Sequence, residues 1–310
     1  MESPREARPL PSRQTVPAHQ PGLAMVMMLL AMFLFASMDA LSKVAARELP
    51  IPQILWVRYI LFTMFVAIML RRQGLRAALV SGQPWVQAIR SVLIIFENGL
   101  FVLAFVYMPL ADVHAIAAVS PLIVIALSRP LLGETVGIRR WLAVMAGFIG
   151  VLVIVRPGFV RIDWPILIPL AAAFLWGLYQ VMVRMCARTD TGETTWAWSA
   201  VVGLLVTTLV GPFVWVWPDA RGWLLLVAIG MIGSAAHFTL IKALEFWEAG
   251  ALQPFSYTLL VWATVIGFFA FGHIPDGWTM TGALVIILSG LYAWQRERAL
   301  ARRPVKQETP

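Results

Sequence analysis

Charge is what this sequence has least of. Only 13% of its 310 residues are Asp, Glu, Lys or Arg, against roughly 25% in soluble domains. Apolar residues make up 60%, and mean hydropathy is +0.80. A soluble chain of this size must cover its surface with polar groups, and these are missing, so lipid is part of the solvent. Cysteine is limited to Cys186, which excludes an intrachain disulfide. The four histidines are scattered, with no HExxH or other metal-ligand spacing. Ser234 and His237 stand three apart, yet no Gly-x-Ser-x-Gly elbow surrounds the serine and no carboxylate orients the histidine by sequence. An intramembrane hydrolase is therefore the remotest reading, and neither an enzyme nor a cofactor is implied. The net charge of +8 does not point to nucleic acid, because the basic residues sit in short runs between apolar stretches and in the C-terminal tail.

What is present is a series of apolar runs. Crossing a hydrocarbon core of about 30 Å takes roughly 20 apolar residues in a helix. Such spans are expected at 22–44, 52–70, 86–108, 111–131, 140–156, 165–187, 194–217, 222–244, 251–270 and 278–295. The fold expected is all-α and integral to the membrane, with ten transmembrane helices. Residues 1–21 are polar and proline-rich and read as a disordered cytoplasmic tail, and 296–310 as a basic one. The first run is too long for a signal-peptide core and lacks a small-residue cleavage site, so it is retained. With the N-terminus inside, the cytoplasmic segments hold 14 Lys and Arg against 4 in the opposite loops. By the positive-inside rule both termini then face the cytoplasm of a bacterial inner membrane. Tryptophans near span ends, such as Trp56, Trp85, Trp141 and Trp217, fit an interfacial belt.

The two halves of the chain can be laid over each other. Phe33-Leu34-Phe35-Ala36 falls on Phe174-Leu175-Trp176-Gly177 at an offset of 141, which also places Asp39 on Gln180 and Lys43 on Arg184. At an offset of 139, Ala104 to Tyr107 falls on Ala243 to Phe246, and Leu132-Gly133 on Phe271-Gly272. Each repeat, 22–156 and 165–295, holds five spans. An odd number makes the second enter the membrane upside down, and inverted repeats are the signature of alternating-access carriers.

The run from Ser120-Pro121 through Leu132-Gly133-Glu134, Arg139-Arg140-Trp141 and Gly147 to Val151 resembles the EamA-type domain of the drug/metabolite transporter superfamily. So do Phe255-Ser256-Tyr257, Phe271-Gly272, Pro275-Asp276, Gly282 and Gly290-Leu291-Tyr292 in the second half. The resemblance implies ten helices in two inverted five-helix repeats, with solute or proton gradients as the drive. His273 departs from the pattern, standing where the family usually has a glutamate, as Glu134 does in the first repeat. Met38-Asp39-Ala40 to Lys43, followed by Gln53 to Trp56 and Arg58, looks most like members that take up riboflavin or S-adenosylmethionine. The expectation is uptake of a vitamin- or nucleotide-like solute such as riboflavin, by a monomer or homodimer embedded in membrane lipid, with the proton as coupling ion. Export of amino acids or metallophore-like metabolites is the alternative.

An ionisable side chain at mid-membrane costs about 2.5–3.5 kcal/mol even on the lenient insertion scale, so each one needs a reason. Asp39 and Lys43 lie four apart on the first span, able to pair. Arg58 lies about two turns into the second span, Glu97 and Asn98 are central in the third, and Asp112 and His114 open the fourth. Arg184, His237, Lys242, Glu245, Gln253 and Tyr257 fall from midplane toward the opposite side in the second half. Inverted copies of one polar design give this arrangement. Lys43, Lys242 and Arg184 can also snorkel to headgroups, and His237 can serve as an interhelical donor. Arg58 and Glu97 reach no interface, so Glu97 is expected either to take the coupling proton or to neutralise Arg58. Trp176 and Trp262 are the tryptophans furthest from span ends. They either pack or stack a flat solute, with Tyr179 and Tyr257 in reach. Pro121 and Pro254, inside apolar spans, are candidate hinges. The candidate binding or coupling set is Asp39, Lys43, Arg58, Glu97, Asn98, His114, Trp176, Tyr179, Gln180, Arg184, His237, Tyr257 and Trp262.

Overall fold

The computed structural model describes residues 20–72, 74–133, 138–155, 164–246, 252 and 255–301. Among them every regular element is helical. The helices are α1 (Pro21–Ala45), α2 (Ile51–Met69), a single turn α3 (Leu75–Ala78), α4 (Pro84–Tyr107), α5 (Leu110–Ala117), α6 (Ser120–Leu132), α7 (Ile138–Val155), α8 (Leu167–Cys186), α9 (Gly192–Thr208), α10 (Ala220–Phe246), α11 (Thr258–Phe271) and α12 (Gly277–Ala301). Six stretches are long and apolar enough to cross a membrane, and α7, α11 and α12 hold shorter apolar segments. With α5 and α6 as two halves of one span, the architecture is the expected one of ten membrane helices in two inverted repeats. Proline in the first turn starts α1, α2 and α4, where a missing N–H leaves nothing unpaired. Leu29, Phe33, Phe96, Phe148, Leu224 and Phe269 point outward, as lipid-facing side chains do.

Inverted symmetry is visible in the packing. The contact of α1 with α10 is matched by that of α8 with α4, and α1 with α11 by α8 with α6. Likewise α2 with α10 corresponds to α9 with α4, while α2 with α9 and α7 with α12 are their own counterparts. At the α7–α12 crossing the backbones touch. A Cβ on Gly150 would lie 2.8 Å from the Gly282 carbonyl oxygen, and one on Gly282 2.6 Å from that of Gly150.

The fourth and ninth spans are both interrupted. The helix breaks at Ala118 and Val119, and again at Tyr257, just before α11. Just beyond each break a hydroxyl donates to a backbone carbonyl three residues back: Ser120 to Ala117 and Thr258 to Phe255, both at 2.6 Å. Each span then ends on a left-handed glycine, Gly133 (φ 69°) and Gly272 (φ 68°), a conformation with little strain only for glycine. These are the two glycines that the offset of 139 superposes.

Candidate functional site

Where the repeats meet, a cavity of ≈960 Å³ opens between α1, α2, α4, α5, α6, α8, α10 and α11. Helical spacing explains its lining. Met28, Met32, Phe35 and Asp39 recur at three- and four-residue steps along α1 and so share one face. Opposite them Trp176 and Gln180 do the same on α8. Asp39 and Gln180 thus come to one chamber from symmetry-related helices. So do Glu97 and His237, which lie 140 residues apart.

Arg58 is buried and donates to the side-chain oxygen of Asn98 at 2.9 Å, and Asn98 in turn donates to the Ile94 carbonyl at 2.6 Å. This gives the guanidinium a fixed seat in the wall. Glu97, one residue from Asn98, makes no hydrogen bond among the described residues and lines the chamber. His114 is buried, with Nε2 3.2 Å from a carboxylate oxygen of Asp39. The contact is close but not aligned as a hydrogen bond, and Nδ1 has no partner either. The Tyr257 hydroxyl is likewise buried without a partner. Buried polar atoms left unsatisfied are costly, and these two project into the walls of one cavity.

Aromatic faces complete it. Trp176 stacks on Tyr179 with centroids 5.4 Å apart and 19° between planes. Phe101 lies over His114 at 5.9 Å, and Phe35 meets His237 edge-on at 4.9 Å. His237 Nδ1 lies 3.0 Å from the Gly233 carbonyl, so a neutral ring carries its proton there and keeps Nε2 as an acceptor. Ser234 Oγ donates to the Gly230 carbonyl at 2.7 Å. Both side chains are thus turned to their own helix, and no serine–imidazole couple of a hydrolase is formed.

Of the residues singled out by sequence, Asp39, Arg58, Glu97, Asn98, His114, Pro121, Trp176, Gln180, His237 and Tyr257 line this cavity. Tyr179 lines an adjoining hollow of ≈430 Å³ that shares Arg58 and His237 with it. Three residues lie elsewhere. Trp262 packs edge-on against Phe33 at 5.1 Å. Arg184 is exposed near the end of α8. Lys43 does not pair with Asp39: its ammonium donates to the carbonyls of Phe105 and Met108 at the end of α4, while Asp39 meets His114. Each thus finds a partner on another helix. Pro254, Gln253 and Glu134 lie outside the described residues.

Sequence reasoning missed Arg90. It is fully buried and donates to Gln87 Oε1 at 2.6 and 3.1 Å, to Ser199 Oγ at 3.0 Å and to the Thr195 carbonyl at 2.9 Å. Its guanidinium also lies 5.5 Å from the centre of the Tyr179 ring. Gln87 passes the contact on, donating to Asp190 at 2.8 Å, and Asp190 also accepts from Ser81 and from the Gly82 N–H. Asp190 lies in the α8–α9 loop. Burial opposes its ionisation, but the hydrogen bonds from Gln87, Ser81, Gly82 and Thr189 outweigh that and hold the carboxyl below its usual range. Gln87, Arg90 and Ser91, at steps of three and four on α4, were the available signal.

An inverted ten-helix bundle around a polar, aromatic chamber narrows the possibilities to solute carriers, and one match decides among them. Residues 22–156 and 163–293 each match the EamA-like transporter family. The chain belongs to that family. It is similar to a riboflavin transporter of Vibrio cholerae, 29% identical over 92% of this chain and 97% of the other. An S-adenosylmethionine uptake transporter of Rickettsia prowazekii is 26% identical over 71% of this chain and 75% of its own length. A pseudopaline exporter of Pseudomonas aeruginosa is 27% identical over 84% and 92%. A solved crystal structure shares the fold with a TM-score of 0.66 and 20% identity, covering 91% of this chain and 99% of the other. The protein is thus a multi-pass membrane transporter of the drug/metabolite superfamily with a small-molecule substrate.

Proposed function

We propose that this EamA-like transporter takes up a vitamin- or nucleotide-like solute such as riboflavin across a bacterial inner membrane by alternating access. The make-up of the central cavity carries this reading. Trp176 and Phe101 offer flat faces, and Arg58, Asn98, Gln180, Tyr257 and His114 offer hydrogen bonds around them. A planar ring with a polar tail matches that division of labour. The relatives named for riboflavin and S-adenosylmethionine support a ring-bearing solute, and the latter, named as an uptake transporter, supports import. The pseudopaline exporter supports the second reading, outward passage of a metallophore-like compound.

The purified protein should bind riboflavin with quenching of its tryptophan fluorescence. Trp176→Leu should weaken binding by about 1–3 kcal/mol, the range for lost base-type stacking. Trp262→Leu should leave affinity as it was. Riboflavin that neither quenches nor exchanges across proteoliposomes, while a metallophore does, would transfer the assignment to export.

The orientation proposed has both termini in the cytoplasm, on the charge bias of the loops. A reporter active only in the cytoplasm should work after residue 310 or within Arg71 to Gln83, and fail between Arg156 and Asp163. Activity at that third position would sink this orientation.

A further inference from the structure

Five ionisable side chains line the cavity: Asp39, Glu97, Arg58, His114 and His237. With both imidazoles neutral and both carboxyls ionised, two negative charges would face the one positive charge of Arg58. A chamber buried in a membrane does not hold an unbalanced charge cheaply, so it is completed by one more positive charge. A cationic solute can supply it. A neutral solute such as a flavin cannot, and a proton then must.

We propose that the Asp39–His114 pair is the proton-binding site of this transporter, so that a neutral solute and one proton occupy the cavity together. This rests on the uptake of a flavin-like solute argued above. Geometry selects the pair. His114 Nε2 and the Asp39 carboxylate are 3.2 Å apart, with side chains 3% and 13% exposed, and neither imidazole nitrogen has a hydrogen-bond partner. Glu97 shares its stretch of wall with the Arg58 guanidinium, which is seated on the adjacent Asn98. His237 sits beside Arg58 and bonds the Gly233 carbonyl. Lys43 is committed to two carbonyls and supplies no charge to the chamber.

The other groups around His114 are consistent with one titrating pair. From α1 come Asp39 and Lys43, from the turn after it Arg47, from α2 Arg58, and from α4 Glu97. The turn before α11 brings Tyr257, the segment before α12 brings His273 and Asp276, and α5 itself brings Asp112. The ends of α7, α8 and α12 that reach α5 carry no titratable side chain among the described residues. Two residues before His114, Asp112 contacts His273 at 3.3 Å, with side chains 21% and 36% exposed. A second carboxylate–imidazole pair thus stands near His114 on the side away from the N-terminus. A proton is taken there from water, held between Asp39 and His114, and released with the solute on the other side. Only N–H and O–H bonds are made or broken.

The plateau of accumulation tests this, because it depends on coupling and not on rate. In proteoliposomes with one unit of inward pH gradient and no membrane potential, one proton per solute permits at most about tenfold accumulation of riboflavin. The wild type should approach that ceiling. His114→Gln and Asp39→Asn, wherever exchange is still measurable, should level off at equal concentrations. A variant that accumulates as the wild type does would overturn the proposal, as would a wild type that exchanges riboflavin without regard to pH. If the wild type does not exchange riboflavin at all, the substrate reading fails instead. Protonation is then read without a substrate, from infrared difference spectra between about pH 5 and about pH 8 of the full chain in lipid. An imidazole band lost in His114→Gln and a carboxylate band lost in Asp39→Asn are expected. Spectra identical in wild type and both variants would reject the site.

Discussion

The two ends of the cavity are fastened by different chemistry. On the side where α1 begins, Arg90, Gln87 and Asp190 form a continuous hydrogen-bonded chain that ties α4 of the first repeat to the α8–α9 segment of the second. On the other side Lys43 holds carbonyls of its own repeat, and reaches the second repeat through the face of Phe271 at 5.8 Å. Gln53 and Val216 exchange two hydrogen bonds there, and two carboxylate–imidazole pairs stand on the same side. One end is thus fastened by a guanidinium-centred chain running between the repeats, the other by an ammonium, an amide and two imidazoles acting separately.

The sharpest way to break this contrast is to remove each cation in turn. Arg90→Met leaves Gln87, Ser199 and the Thr195 carbonyl without their donor, at about 1–3 kcal/mol for each buried group stranded. Lys43→Met should do less harm, because Lys43 is only half-buried and the carbonyls it leaves can turn to water. Unfolding midpoints of both variants in one detergent should fall in that order. A larger drop for Lys43→Met would reverse the comparison.

The smallest effect concerns Asp190. Its folded carboxyl holds a proton less tightly than the unfolded one, so its contribution is complete above the ordinary aspartate pKa of about 3.9 and is lost as pH falls through the folded value. Thermal midpoints should be flat between about pH 7 and about pH 5 and then decline in acid. Asp190→Asn should lower the plateau and flatten that decline. An unaltered acid profile would show that Arg90 and Gln87 hold without it.

The bundle was legible because lipid leaves so little choice: long apolar runs with basic linkers have one solution, and an odd number of helices per repeat forces inversion. The cavity was legible through cost, since Arg58 and Glu97 had no cheap reason to be mid-span. Partner choice was not legible. Asp39 and Lys43 sit on one helical face, yet each bonds a different neighbour, a matter of tertiary distance that spacing along one helix does not contain. Trp262 is as central as Trp176, but its ring turns to Phe33. Arg90 stood near the start of its span, where a charged residue reads as interfacial. Only the fold shows that the α8–α9 loop and α9 cover it.

The crossing of α7 and α12 carries one more consequence. Those two helices are exchanged for each other by the repeat symmetry, and Gly150 and Gly282 each leave a notch against which an isoleucine of the opposite helix sits, Ile286 on Gly150 and Ile154 on Gly282. Interlocked side chains resist rotation because each must leave its slot before the helices can turn. The crossing therefore works as a clasp, in which each isoleucine holds the register of the opposite helix, and a single added methyl group at either glycine would unseat it.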